Sequence, residues 1–279
     1  MTVKITAMQE KHLDQAYLLT QKLKWPHRRE DWQQAWQLGE GVVAEQNGKV
    51  LGTVICWRWG QDYASTGLVI VADEAQGQGI GTQLMQAVLH KLQGVNVRLH
   101  ATEMGQGLYE KLGFVATGQV RQHQTPELAK IAPVMPEQTQ RLRQASADDL
   151  TRMVALDTEA HGQCRSALIH YLLHHAQRNL LLEEQGSVQG FASLRRFGHG
   201  FLIGPVICRD LAAAKVLVSA LLMDLEGQFV RMDTPEQALS AWLNACGLHE
   251  VDGPVAMIRG VPWQPSGMLT FGLMSQAMA

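Results

Sequence analysis

The stretch "ADEAQGQGIGTQLM", residues 72–85, decides the fold. It sets glycines at 77, 79 and 81 directly after the apolar run "LVIV", residues 68–71, and before a helical pattern of apolar residues. A strand, a turn stripped of side chains and a helix start aim several free backbone N–H groups at one point, with the positive end of the helix dipole behind them. That is an anion site, most naturally for phosphate. Two phosphate motifs fail here. The residue three after Gly79 is Thr82, so the dinucleotide fingerprint G-x-G-x-x-G is not met, and no G-K-[ST] follows to make a P-loop.

The rest of the chain reads twice. "ITAMQEKHLDQAYLL" from Ile5 resembles "LRQASADDLTRMVAL" from Leu142, and the hairpin run "VVAEQNGKVLGTVI" from Val42 resembles "LLLEEQGSVQGFAS" from Leu180. "GLVIVAD" from Gly67 pairs with "GPVICRD" from Gly204, and "LYEKLGF" from Leu108 with "WLNACGL" from Trp242. The offsets agree: Leu13 to Leu150 and Asp73 to Asp210 are each 137 residues, Gly48 to Gly186 is 138 and Gly113 to Gly247 is 134. Two copies of one fold are therefore expected, over 1–127 and 140–279, joined by a linker over 128–139 that holds Pro133 and Pro136. Each copy reads helix, hairpin, strand, helix, strand, helix, strand. This predicts an α/β (α+β) fold with a mixed, mostly antiparallel sheet flanked by helices. The tail after Gly260, with "GMLTFGLM", is expected to close against a domain as a last apolar strand or lid. Where copy one has its glycine loop, copy two has "LAAAKVLVSALLM" from Leu211, with no glycine. The glycines thus belong to a function of copy one and not to the fold.

Gln76-x-x-Gly79-x-Gly81 matches the Q/R-x-x-G-x-G/A signature of the GNAT superfamily of N-acetyltransferases, and "LYEKLGF" after the strand "VNVRLHA" matches its second signature. Residues 1–125 resemble that superfamily, and the whole chain resembles a bacterial subgroup with two such domains in tandem. Copy two departs from both signatures, so it is expected to be degenerate and to shape the substrate site. The resemblance implies acetyl-CoA as acyl donor. Backbone amides of Gln76, Gly77, Gln78, Gly79, Ile80, Gly81 and Thr82 would hold its pyrophosphate, and the edge of Val69, Ile70 and Val71 would hydrogen-bond the pantetheine arm like an added strand. It also implies that this strand splays from "VNVRLHA" to open a slot for the thioester.

Acetyl transfer to an amine needs an uncharged amine, a stabilised oxyanion and a proton for the departing thiolate. A backbone N–H at Ile70 or Val71 can polarise the thioester carbonyl. Tyr109 matches the family's tyrosine, whose phenol can donate to a thiolate; its other reading is an aromatic packed on a helix face with Leu108 and Leu112. Copy two has Leu243 at that position, which packs but cannot donate. Candidate bases are Glu103, just after "VNVRLHA", and His100 within it, with Glu30 and Asp31 in a region that commonly lines the acceptor site. Trp25, Trp32 and Trp36 lie 7 and 4 apart, a helical face that is either core or an aromatic acceptor pocket. Trp57 shares a strand face with Trp59. Trp25, Glu30 and Trp57 are the substrate candidates.

His170 and His174 stand at metal-ligand spacing, but Tyr171 follows His170 where H-E-x-x-H needs glutamate, so no metal is expected. Cys56 sits among apolar strand residues, which makes it inert. The formal charge of -2 gives nucleic acid no electrostatic hold. No apolar run approaches the roughly 18 residues of a membrane span, the opening residues lack a signal-peptide core, and the four cysteines are scattered. These features predict a cytoplasmic protein without membrane partner, able to form a homodimer, acting on a small-molecule or peptide amine. An acyl-CoA-binding regulatory module without turnover is the alternative.

Overall fold

The computed structural model describes residues 2–278. The first copy runs β1 (Lys4–Ala7), α1 (Leu13–Lys22), α2 (Arg29–Leu38), β2 (Glu40–Gln46), β3 (Lys49–Trp59), β4 (Tyr63–Val71), α3 (Ile80–Lys91), β5 (Asn96–Ala101), α4 (Glu103–Lys111), β6 (Val115–Gln119) and β7 (Arg121–Thr125). The second runs β8 (Gln140–Gln144), α5 (Leu150–His161), α6 (Ser166–His175), β9 (Arg178–Glu184), β10 (Ser187–Phe197), β11 (Gly200–Cys208), α7 (Leu211–Leu222), β12 (Val230–Thr234), α8 (Gln237–Ala245), β13 (His249–Asp252) and β14 (Val255–Arg259), with β15 (Leu269–Gly272) in the tail. The repeat is therefore present element by element. Each sheet is antiparallel except for one parallel pair, β4 with β5 and β11 with β12.

The two sheets do not divide at the expected boundary. Their strand orders are β1-β2-β3-β4-β5-β14-β6 and β13-β7-β12-β11-β10-β9-β8. The last strand of each copy has crossed into the other sheet: β14 fills the place between β5 and β6, and β7 fills the place between β12 and β13. Only Val120 separates β6 from β7, too little chain for a hairpin turn, so the strand runs on into the neighbouring sheet. Gly253 and Pro254 make the reciprocal crossing, and the Val120 N–H donates to the Pro254 carbonyl at 3.0 Å, so the two crossings lie side by side.

Residues 128–139 are not a loose tether. Leu128 is buried, its N–H donates to the Gln228 carbonyl at 2.9 Å, and the Val134 N–H donates to Ser219 Oγ at 2.9 Å on α7. Ile131 and Val134 of this strap pack against the same core as α7, which buries Ala213, Ala214, Val216, Leu217, Val218, Ser219, Leu221 and Leu222, more than one helical face. Its counterpart α3 buries a single face, Ile80, Leu84, Met85 and Val88, at helical spacing. No helix among the described residues is long and apolar enough to cross a membrane.

Candidate active site

In copy one β4 pairs with β5 only from Tyr63 to Ser65, opposite Asn96 to Arg98. Beyond this the strands part, and β5 takes β14 on its other side instead. A register shift against β3 coincides with the turn at Leu68, whose φ is 53° and whose carbonyl accepts from Thr53 Oγ1 at 2.8 Å. The residues after Leu68 keep β3 but leave their other edge, Val69 to Val71, facing a cleft of about 770 Å³. This is the expected splay, and the edge has free backbone groups for an added strand.

The glycine loop caps one end of the cleft. Gly77 and Gly79 hold φ of 73° and 76°, left-handed values, and a Cβ on either would meet nothing within 4 Å. Glycine is needed there for the conformation, and open space lies above both. Gly81 serves packing: a Cβ there would stand 3.3 Å from Leu108 Cδ2 on α4. Gln76 braces the loop, its Nε2 donating to the Val71 carbonyl at 3.2 Å and to Asp73 Oδ1 at 3.1 Å. Gln78 turns its side chain outward to the Glu74 carbonyl. Ile80 and Thr82 line the cleft with the glycines.

Tyr109 lies on α4 and lines the cleft at 7 % exposure, its ring edge-on to Phe114 at 6.0 Å. Burial pushes its phenol up to about 12, and among the described residues its hydroxyl has no hydrogen-bond partner. Of the two sequence readings of Tyr109 the geometry shows the packing, and it leaves the hydroxyl without a protein partner. His100 also lines the cleft. Its Nδ1 donates to the Gln276 carbonyl at 2.6 Å, which fixes the neutral tautomer and leaves Nε2 a buried acceptor without partner. Burial, then the charge of Arg98, pulls this imidazole down to about 3. Glu103 is exposed at the mouth.

A second chamber, about 260 Å³, opens from the first, and the two share Trp25, Gly67, Leu68, His100, Thr102 and Asp252. Copy two supplies much of its wall, including Phe197, Arg231 and Gln276. Trp25, His27 and Phe197 form an aromatic row, with ring centroids 5.9 and 5.1 Å apart. Burial holds His27 neutral, down to about 4. Asp252 is the carboxylate that sequence reasoning missed. It sits at the shared mouth because β7 carries β13 beside it, a juxtaposition across 130 residues.

Two substrate candidates are corrected. Trp57 is fully buried in the core, its Nε1 donating to the Ala35 carbonyl at 2.9 Å, because both faces of β3 are covered. Glu30 lines neither chamber, since α2 turns it toward α6. Asp31 is consumed structurally by Arg28 and by the Gly198 N–H of copy two. Of the three tryptophans at helical spacing, Trp32 is core and Trp25, which precedes α2, faces the cleft. Burial raises the Cys56 thiol to about 11, consistent with an inert residue.

Copy two has the same splay, with β11 and β12 paired only from Phe201 to Ile203, but its slot is filled. The tail strand β15 pairs with Val206, Ile207 and Cys208 of β11. By the 137-residue offset of Asp73 and Asp210, these are the counterparts of Val69, Ile70 and Val71. The expected closing strand is thus located. The tail then runs back to the first slot, where Ala277 packs against Gly67 so closely that a Cβ there would meet it at 2.7 Å.

Models of the acetyltransferase (GNAT) domain match residues 37–116 and 153–269, together well over half of the chain. An uncharacterized N-acetyltransferase of Bacillus subtilis, YitH, is 27% identical over 83% of this chain and 82% of its own. A holothin acyltransferase of a Pseudoalteromonas species is 24% identical, over 91% and 94%. A crystal structure from Pyrococcus horikoshii, provisionally described as an acetyltransferase, superposes with a TM-score of 0.79 at 18% identity, covering 99% of this chain and 96% of that one.

Proposed function

Because the chain belongs to the GNAT acetyltransferase family and carries two copies of its domain, we propose that the first copy transfers an acetyl group from acetyl-CoA to a primary amine of a small molecule or peptide. The observation that carries this reading is the contrast between the copies. One slot is open, with a left-handed glycine loop at its end; the other has neither glycines nor room, because β15 occupies the strand edge.

The open cleft suits acetyl-CoA, which supplies the activated acetyl group. The space above Gly77 and Gly79 lets an anion approach the N–H groups at the start of α3, and the free edge of Val69 to Val71 offers hydrogen bonds to an extended amide arm. A backbone N–H at Ile70 or Val71 would polarise the carbonyl under attack. Tyr109 stays a phenol throughout the working pH range and donates to the departing sulfur.

The amine must arrive uncharged. Removing a proton from an alkylammonium of pKa about 10.4 at pH 7 costs roughly 4 to 5 kcal/mol. His100, neutral and weakly basic in its buried site, is suited to accept a hydrogen bond from the amine N–H and orient it, not to strip an ammonium. Asp252 and Glu103 at the mouth are the carboxylates placed to pass that proton to water. The aromatic row of Trp25, His27 and Phe197 favours an acceptor with a flat or apolar portion. The test is release of CoA thiol from acetyl-CoA with a panel of amino acids, arylamines, polyamines and peptides. Turnover with any of them supports the proposal; tight CoA binding with no turnover across the panel would favour a regulatory module.

A further inference from the structure

Between α2 of copy one and α6 of copy two lies a separate cavity of about 310 Å³, lined by Arg28, Gln34, Tyr171, Arg195 and Arg196, with Glu30 exposed on it. It shares no residue with the two chambers of the active-site cleft. Its volume falls at the low end for small-ligand sites. Arg195 is 5 % exposed and makes a single hydrogen bond, Nη2 to the Met274 carbonyl at 2.8 Å, while its Nε is buried without a partner. Gln34, 7 % exposed on the facing helix, has its Nε2 in the same condition.

The charges around this wall do not balance. Arg28 pairs with Asp31 at 2.8 Å and Arg231 pairs with Asp233 at 2.8 Å, while His27 is neutral. Asp31 is spent further on the Gly198 N–H, so Arg195 is a third guanidinium with no carboxylate of its own among the described residues. Its contact with the Phe197 ring, 5.0 Å from guanidinium to centroid, compensates a buried cation only in part. Two orphaned donors on facing elements, one of them on an unpaired buried cation, define what is missing: an acceptor-only group carrying negative charge. Glu30 is the one carboxylate lining the cavity, and it stands in solvent.

We propose that this inter-copy cavity binds a small oxyanion, a carboxylate or phosphate group, between Arg195 and Gln34. Arg195 also backs Phe197, which lines the acceptor chamber, so the bound anion sits one side chain away from the substrate wall. The site is distinct from the glycine loop, which lies at the far end of the other cleft and in copy one alone.

The test uses the full chain in chloride buffer at fixed ionic strength, titrated with malonate and with inorganic phosphate up to about 10 mM, reading thermal unfolding with and without saturating CoA. A saturable rise of about 3 °C at ten times Kd is expected for at least one of the two anions, and it persists with CoA present. Arg195→Gln abolishes the rise. Since that variant can suffer in folding, Gln34→Glu provides the second arm: it puts a carboxylate beside Arg195, raises the melting temperature in chloride alone and removes the response to added anion. A flat titration with both anions overturns the proposal. So does a response that vanishes when CoA is bound, which would place the anion in the glycine loop, or one that survives in Gln34→Glu.

Discussion

Tyr109→Phe separates the packing that the structure shows for this side chain from the proton-donor role proposed for it. The ring packs edge-on to Phe114, and Gly105 makes room for it, since a Cβ there would stand 3.0 Å from Tyr109 Cε2. Phenylalanine keeps all of this. The hydroxyl it removes has no protein partner among the described residues and keeps some contact with solvent, so its loss leaves stability within about 0.5 kcal/mol of the parent. Tyr109→Ala, by contrast, removes the ring and is expected to cost about 3 to 5 kcal/mol. If the phenol donates to the departing sulfur, kcat for thiol release in Tyr109→Phe drops at least about tenfold, some 1.4 kcal/mol of barrier, and by as much as 10⁴ if the proton is fully in transit at the rate-limiting point. The assay pairs a thermal melt with steady-state thiol release at several acetyl-CoA concentrations, so that a change in donor KM is read apart from kcat. An unchanged kcat beside an unchanged melt would sink the donor role and leave Tyr109 as packing alone.

Three further outcomes are expected. His27 and His100 are held neutral in the fold, at about 4 and about 3, against 6.5 in the unfolded chain, so the unfolded state takes up protons that the fold refuses. Stability is therefore full above about pH 6.5 and declines as pH falls toward 4; a series of melts should show this, with His100→Gln flattening the slope, and a flat profile from pH 7 to 4 would contradict it. Gly79→Ala places a Cβ in a left-handed position, costing about 1 to 2 kcal/mol of stability, and puts a methyl group in the open space through which an anion would approach the start of α3, so CoA affinity by calorimetry should fall more than tenfold. Calorimetry of the parent should count one CoA per chain, because β15 covers the second strand edge; two per chain would mean that β15 leaves its place readily.

What the sequence disclosed and what it hid separate along a physical line. The glycine loop was legible because its conformation restricts residue type: φ near 75° at Gly77 and Gly79 strongly favours glycine, and the closeness of Leu108 disfavours a side chain at Gly81. The repeat was legible because each copy must bury the same faces and so repeats the same periodicity. Strand exchange leaves no such mark. The strands 121–125 and 255–259 satisfy either sheet equally well by pattern, and what assigns them is the one-residue connection at Val120, too short to turn a hairpin, with the Gly253-Pro254 crossing hydrogen-bonded beside it. The same exchange hid the wall of the second chamber. Asp252, Gln276 and Arg231 reach the second chamber, and Asp252 its shared mouth with the slot, because β7 has carried copy two's sheet up against copy one, so no window of sequence around "VNVRLHA" contains them. It also explains why a second copy without an open slot stays attached: without β14, β5 and β6 of the first sheet have no strand between them, and without the tail His100 has no carbonyl to fix its tautomer. The second copy thus helps to wall both chambers, and a chain cut between the copies should lose them together with the fold.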